Sequence, residues 1–415
     1  MKSIGYLQLF RQNSNFRKFY GAHLISLFGD WCNVLAMLSL LRSMGHEDAG
    51  SFGGIFIAKS VATLMMLPLG GVVVDRFSRK SLMFWTDIGR ALIVCCFFAA
   101  PLLQSVFFVY VLLWMQAILG AFFEPAKHAL LPDIVTKEEL PAASAINAVT
   151  WSTMLSLGTA IGGYLADNFG WQAALSVDVS SYLISAALVF FLIEPPFTAT
   201  YKEFQVIQPF VDGWQYIRNR FSVGALILVK MMWGVMGSVS VMLAMLGEGK
   251  YKMAAGATAG VSLLYMARGI GTGLGPFIAK NFVGRDAFKA ELTIGLGFLF
   301  GGLFYMPLAL MDNIWSVACL VTSAHLGGSV IWVFSTQRLQ QLVPTEIRGR
   351  VFSWDLLGFL IVHCIAIWLY SEMVDSYQIE PDVALAWGGA FMMIPTGLWF
   401  AKLYFYGVED AVVGD

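Results

Sequence analysis

Charge is what this sequence has least of. Only 13% of its 415 residues are Asp, Glu, Lys or Arg, against roughly 25% in soluble domains. A net charge of -1 supplies no basic field, so no nucleic-acid partner is expected. The five cysteines (Cys32, Cys95, Cys96, Cys319 and Cys364) show neither metal-ligand nor disulfide-framework spacing, and in their apolar runs they read as small buried hydrophobes. There is no HExxH and no nucleophile elbow, which argues against a polytopic membrane enzyme. A Walker-type loop is also missing, so ATP is not expected as the energy source, nor is any metal or cofactor. Residues 1–18 have four basic side chains but no hydrophobic core of a signal peptide, and the first long apolar run is expected to belong to the mature chain.

Apolar residues are abundant instead, at 58%, with a mean hydropathy of +0.70. Lipid-facing surfaces must be as apolar as cores, so these values predict an all-α membrane protein that crosses the bilayer many times. Twelve runs of helix-spanning length stand at 19–43, 50–72, 81–101, 105–124, 141–166, 171–194, 221–246, 255–279, 288–311, 314–338, 350–374 and 383–406. The longest polar break, 195–220, contains Pro195, Pro196 and Pro209. It separates a six-helix bundle at 1–194 from a second at 221–415, with the break itself a cytoplasmic linker. Nineteen of the 26 Lys and Arg residues fall on the N-terminal side of the first span or on loops sharing that side, and three on the other. The positive-inside rule then puts both termini in the cytoplasm.

The halves echo each other. Phe28-Gly29-Asp30 faces Met236-Gly237-Ser238 at an offset of 208, and Ala58-Lys59 faces Ala267-Arg268 at 209. Val74–Lys80 faces Val283–Lys289 at 209, and Leu131-Pro132 faces Val343-Pro344 at 212. Ordered matches at nearly one spacing describe two pseudo-symmetric bundles in parallel repeat, a layout of secondary transporters.

Between spans two and three runs Gly71-x3-Asp75-Arg76-x2-Arg79-Lys80. This resembles the signature loop of the major facilitator superfamily. The resemblance implies a twelve-helix transporter fold in which the loop latches a cytoplasmic gate. Its expected partner is the start of span eleven, Arg350 to Asp355. Gly284 replaces the acid in the second copy, which predicts a weaker latch. Asn15–Trp31, Phe122–Val135 and Thr336–Ser353 are similar to the macrolide-efflux-type drug–proton antiporters of that superfamily, and the Phe28-Gly29-Asp30 region resembles the lysophospholipid transporters. A proton-coupled exporter is the implied activity, with protons, membrane lipids and a small amphiphile as partners, acting as a monomer.

An ionisable group inside the bilayer is costly, so each one is a functional candidate. At 1.5 Å rise per residue, Asp30 lies ~17 Å along its span, Lys59 and Lys230 ~14 Å, and Arg268 ~20 Å, all near the midplane. His325 and His363 reach similar depth and could relay protons or simply pack. Asp30 is the leading proton carrier; the competing reading is a structural ion pair with Lys59. Three cations against Asp30 suggest a cavity for anionic or zwitterionic amphiphiles, unless those side chains snorkel or bond to backbone. Asp87 and Arg90, three apart, are expected to pair beneath the signature loop. Glu124, before Pro125, reads as a gating contact, and Asp178 as a structural pair nearer the outer face. The glycine cluster Gly269–Gly275 reads as a packing surface. A lipid or siderophore exporter without proton coupling is the alternative; a channel fits the repeat poorly.

Overall fold

The structure is a computed structural model and describes residues 6–136, 138–195, 207–284 and 286–409. Among these residues there is no β-strand, and each expected apolar run is largely helical, with 191–194 and 255–258 outside the helices. After a short helix, Tyr6–Gln12, the long helices of the first half are α1 (Ser14–Ser43), α2 (Ala49–Arg76), α3 (Arg79–Leu103), α4 (Val106–Ile134), α5 (Leu140–Phe169) and α6 (Trp171–Phe190). The second half has α7 (Phe221–Glu248), α8 (Ala259–Val283), α9 (Ala287–Leu310), α10 (Ile314–Leu342), α11 (Thr345–Asp375) and α12 (Pro381–Tyr406). Ten of them are long and apolar enough to cross a membrane on those criteria alone. The other two, α5 and α8, have the length, at 30 and 25 residues, but are diluted by Ser, Thr and Asn on α5 and by Arg268 and Lys280 on α8.

The chain forms two compact units. In the first, α1 packs on α5 and α6, while α3 packs on α4 and α6. Helices in lipid gain little from apolar association and rely on close approach at small residues. On α5, a Cβ at Gly158 would lie 2.5 Å from Trp31 Cβ, and one at Gly162 2.7 Å from Cys32 Cα. In the second unit α10 packs on α8 and α9. Side chains at Gly271 and Gly275 would meet the carbonyls of Thr322 and Leu326 at 2.2 and 2.4 Å, so the Gly269–Gly275 cluster is a helix-packing face. The first turn of α2, Asp48–Gly53, groups with the second unit. There Asp375 accepts hydrogen bonds from the Ala49 and Gly50 amides at 2.9 and 2.7 Å, satisfying donors that a helix start leaves open.

Two expectations need correcting. The 195–220 break is not only linker, because Ile207–Arg218 is a helix of the second unit. Phe210 and Trp214 pack tilted rings against Trp354, with centroids 4.5 and 5.0 Å away, and Arg350 pairs with Asp212 at 2.7 Å. Among the cysteines only Cys32 is buried; Cys95, Cys96 and Cys319 lie exposed on helix surfaces, where an apolar thiol suits lipid equally well. The same solvent explains outward-facing Phe107 and Phe277, 75% and 76% exposed.

The repeat is imperfect at its most polar point. Phe28-Gly29-Asp30 lies in unbroken α-helix, whereas Met236-Gly237-Ser238 falls in a 3-10 stretch, Val235–Ser238, that interrupts α7. Gly237 lies so close to His363 that a Cβ there would meet Nδ1 at 2.1 Å.

Candidate functional site

The first unit concentrates its polar groups around α6. Asp178, Ser181, Tyr182 and Ser185 recur at helical spacing, so they form one stripe on that helix. Gly29 lets α1 approach it: a Cβ at Gly29 would stand 1.9 Å from Ser181 Oγ and 2.7 Å from Asp178 Oδ1. The next residue, Asp30, accepts a hydrogen bond from the Tyr182 hydroxyl, which itself accepts one from Gln116 Nε2 at 2.9 Å. Arg90 Nη1 lies 3.8 Å from the other Asp30 oxygen. The same guanidinium pairs with Asp87 and sits over the rings of Tyr182 and Phe123, with centroids at 4.4 and 4.6 Å. The second oxygen of Asp87 accepts from Ser185 Oγ at 2.6 Å. Asn33 donates to Asp178 at 2.8 Å, and the remaining Asp178 oxygen is buried without a partner.

The Asp30–Lys59 ion pair is therefore not present. The direct partners of Asp30 are Tyr182 and Arg90, while Lys59 interacts with Asp30 and Asp178 only across space. Asp178 also departs from expectation, since its bond is to neutral Asn33 and it belongs to the Asp30 cluster. Three carboxyl groups (Asp30, Asp87, Asp178) thus stand among two cations (Arg90, Lys59). Asp87 and Asp178 are fully buried, whereas 34% of the Asp30 side chain is exposed, the most of the three acids.

A smaller group lies where α1 and α4 face each other. Lys127 pairs with Glu124 at 2.6 Å and lies 3.4 Å from His23 Nε2, and His128 is 3.6 Å from Glu124. Glu124 is thus committed within its own helix.

Lys230, expected as a third cavity cation, is buried in an ion pair with Asp355 and lies over the Trp332 ring at 4.7 Å. The count of three cations to one acid falls with it. Arg268 Nη1 donates to Ser240 Oγ at 2.5 Å, and Tyr265 donates to the Ser240 carbonyl at 2.6 Å. The Tyr305 hydroxyl and His325 Nε2 are 2.8 Å apart. His363 stacks on Phe359 with centroids 5.3 Å apart, and its buried Nδ1 has no partner. Deeper in this unit Glu291 binds both Arg338, at 3.0 Å, and Lys402, at 2.5 Å.

The signature loop is tied down inside its own unit. Glu194 accepts from the Arg79 and Lys80 amides at 2.9 and 3.3 Å and from Ser78 Oγ, Arg79 pairs with Asp133, and Lys80 reaches the Leu192 carbonyl at 2.8 Å. Arg76 closes α2. The side chains of Gly71 and Asp75 lie outside the described residues, so the expected latch falls outside them too. Its expected partners Arg350 and Asp355 are engaged by Asp212 and Lys230. In the second copy Gly284 ends α8 with φ +55°, a conformation that favours glycine, and Asp286 caps α9 much as Ser78 caps α3.

This arrangement of helices and intramembrane charges can be set beside known proteins. The sequence profile of the Major Facilitator Superfamily matches residues 19–367. The chain belongs to that superfamily. It is an integral membrane transporter. An uncharacterized MFS-type transporter of Bacillus subtilis (strain 168), YfiS, is 28% identical over 185 residues, 44% of this chain and 43% of that one. A protein of the same organism described as a bacilysin exporter, BacE, is 24% identical over 88% of this chain and 96% of its own. The lysophospholipid transporter LplT of Enterobacter sp. (strain 638) is 24% identical over 91% of this chain and 93% of its own. Among solved structures, an auto-inhibited peptide transporter of the POT family superposes with a TM-score of 0.74 at 12% identity, covering 97% of this chain and 99% of that one. That likeness concerns the fold.

Within this transporter, sequence reasoning found Asp30, Asp87 and Arg90 but missed Tyr182, Gln116 and Asn33. The Asp178–Tyr182–Ser185 spacing was the available signal: three polar groups on one face of an otherwise apolar run.

Proposed function

We propose that the protein exports a small amphiphilic compound by alternating access, in exchange for protons carried by Asp30. One observation supports this above all: an accessible carboxyl group bonded to Tyr182 and facing Arg90, in a cluster with three acids and two bases. Such a cluster balances its charge when one acid is protonated, and loss of that proton can be linked to a change of state. Export, rather than uptake, is supported by the likeness to BacE. The Lys and Arg distribution supports cytoplasmic termini in a bacterial inner membrane, and the repeat supports halves at 1–194 and 221–415. The protein acts as a monomer. A second reading, lysophospholipid movement without proton coupling, rests on the likeness to LplT over most of both chains.

Purified protein in proteoliposomes with an imposed pH gradient and an internal pH dye tests the proposal. Substrate addition should move protons with wild type and not with Asp30→Asn, while the variant elutes and melts as a folded protein. Full proton movement in the variant removes Asp30 from the mechanism; substrate flux indifferent to the gradient favours the second reading.

A further inference from the structure

We infer that Arg268 binds the anionic head group, a carboxylate or phosphate, of the transported amphiphile. The amphiphile part of this statement rests on the function proposed above; the anion site does not.

Burying a guanidinium without a counter-charge costs several kcal/mol, so structural arginines in a bundle are found paired. Arg90 and Arg338 follow that rule, with Asp87 and Glu291. Arg268 does not. It sits about 14 Å along α8, half-buried, and among the described residues no carboxylate lies within ion-pair distance of it. Four acids of this unit are engaged elsewhere: Asp355 by Lys230, Glu291 by Arg338 and Lys402, Asp382 by Lys250, and Asp375 by the α2 amides; Glu248 acts on Tyr265 but is not within ion-pair distance of Arg268. The charged and titratable groups that do interact with Arg268 (Tyr265, Tyr305, His325 and His363) supply no negative charge as neutral groups.

The way Arg268 is held adds direction. Its single hydrogen bond, to Ser240, uses Nη1. Nε is buried without a partner, and Nη2 lies on the same side of the guanidinium as Nε. That Nε–Nη2 edge is the fork that takes a carboxylate or phosphate through two parallel bonds. Arg79 and Arg90 also leave Nε unpartnered but have a carboxylate, Asp133 and Asp87, so the missing counter-charge is what singles out Arg268. Nearby, the interrupted helix α7 leaves Ser238 Oγ buried and unpartnered two residues from Ser240, and His363 Nδ1 is likewise open against Gly237. The repeat position of Arg268 in the first unit is Lys59, which interacts with two acids. Thus the repeat position that faces two acids in the first unit has no carboxylate at ion-pair distance in the second, among the described residues.

Isothermal titration of nanodisc-embedded protein tests this, with empty nanodiscs as reference and four eight-carbon probes: octanoate, octyl phosphate, octyl phosphocholine and octyltrimethylammonium. Wild type should bind the two anions at least about tenfold more tightly than the cation, the size expected for a charge-assisted bidentate contact. Arg268→Gln should lose about tenfold or more for the anions and nothing for the cation. Arg268→Lys keeps charge but not the fork, so octanoate binding should fall by an intermediate factor; this variant carries the comparison if the glutamine protein melts abnormally. Unchanged anion affinity in both variants, or a wild-type preference for the cation, overturns the inference. Proteoliposome flux separates it from the transport reading. Arg268-dependent binding with no gradient-driven flux defeats transport alone, and gradient-driven flux indifferent to head group and to both variants defeats the anion site alone.

Discussion

Gly29→Ala isolates the contact on which the Asp30 cluster is built. A Cβ at this position would stand 1.9 Å from Ser181 Oγ and 2.7 Å from both Ser181 Cβ and Asp178 Oδ1. Non-bonded carbons sit comfortably at roughly 3.5–4.0 Å. Rotating Ser181 removes the first clash but not the one with its Cβ, so α1 and α6 must part by about 1 Å to approach that separation. Overpacking of this kind costs about 1–3 kcal/mol, and better helix propensity returns up to about 1 kcal/mol. With the full return, the expected net loss is up to about 2 kcal/mol. Gly120→Ala is the control, because its Cβ would meet nothing within 4 Å; it should be neutral or slightly stabilising. Unfolding titrations with SDS in mixed micelles, followed by tryptophan fluorescence, measure both. Function should suffer more than stability, since an ångström of misplacement at a reacting group can cost about 100-fold in rate. The double variant Gly29→Ala/Ser181→Gly removes two of the three clashes and should recover part of the activity despite an added helical glycine. If Gly29→Ala behaves like Gly120→Ala in stability and transport, the close α1–α6 contact is not what positions Asp30.

Breaking the buried Lys230–Asp355 pair from one side, with Lys230→Met or Asp355→Leu, should destabilise by about 3–5 kcal/mol, whereas the double variant should return close to wild type; additive losses in the same SDS titrations would mean the two charges act separately. Glu291→Gln leaves Arg338 and Lys402 buried without a counter-charge and should reduce folded yield or stability by at least about 3 kcal/mol, read by size-exclusion and melting. Lys250 lies in the loop after α7, where the hydrogen bond with Asp382 holds its ammonium above the ordinary lysine range. Such a raised group contributes fully below its unfolded value and loses that contribution as pH climbs through the folded one. Lys250→Met should therefore cost the same about 0.5–1 kcal/mol at pH 6 as at pH 8, as expected for a part-exposed pair; a penalty that varies between those pH values contradicts the assignment.

The bundle was legible because lipid imposes one rule on every span, length and apolarity together, and a chain can satisfy it only in runs that sequence displays openly. Partnership between charges follows a different logic. Depth along a helix can be counted from sequence, and it placed Asp30, Lys59, Lys230 and Arg268 near one level. Azimuth cannot be counted until the helices are packed. Asp30 and Lys59 share a depth, yet Tyr182 and Arg90 hold the carboxylate because Gly29 draws α6 against α1. Lys230 and Asp355 looked like members of two different devices, a cavity and a gate, because 125 residues separate them in sequence. Packing of α7 on α11 joins them. The pseudo-repeat misleads for the same reason: it aligns Lys59 with Arg268 and Asp30 with Ser238, but the helix break at Val235–Ser238 and the close approach of His363 give the second copy a different set of neighbours. The two copies therefore share a scaffold but not a charge pattern. The Asp30–Asp87–Asp178 acids and Arg268, which has no described carboxylate at ion-pair distance, thus belong to different copies, although the repeat aligns Lys59 with Arg268.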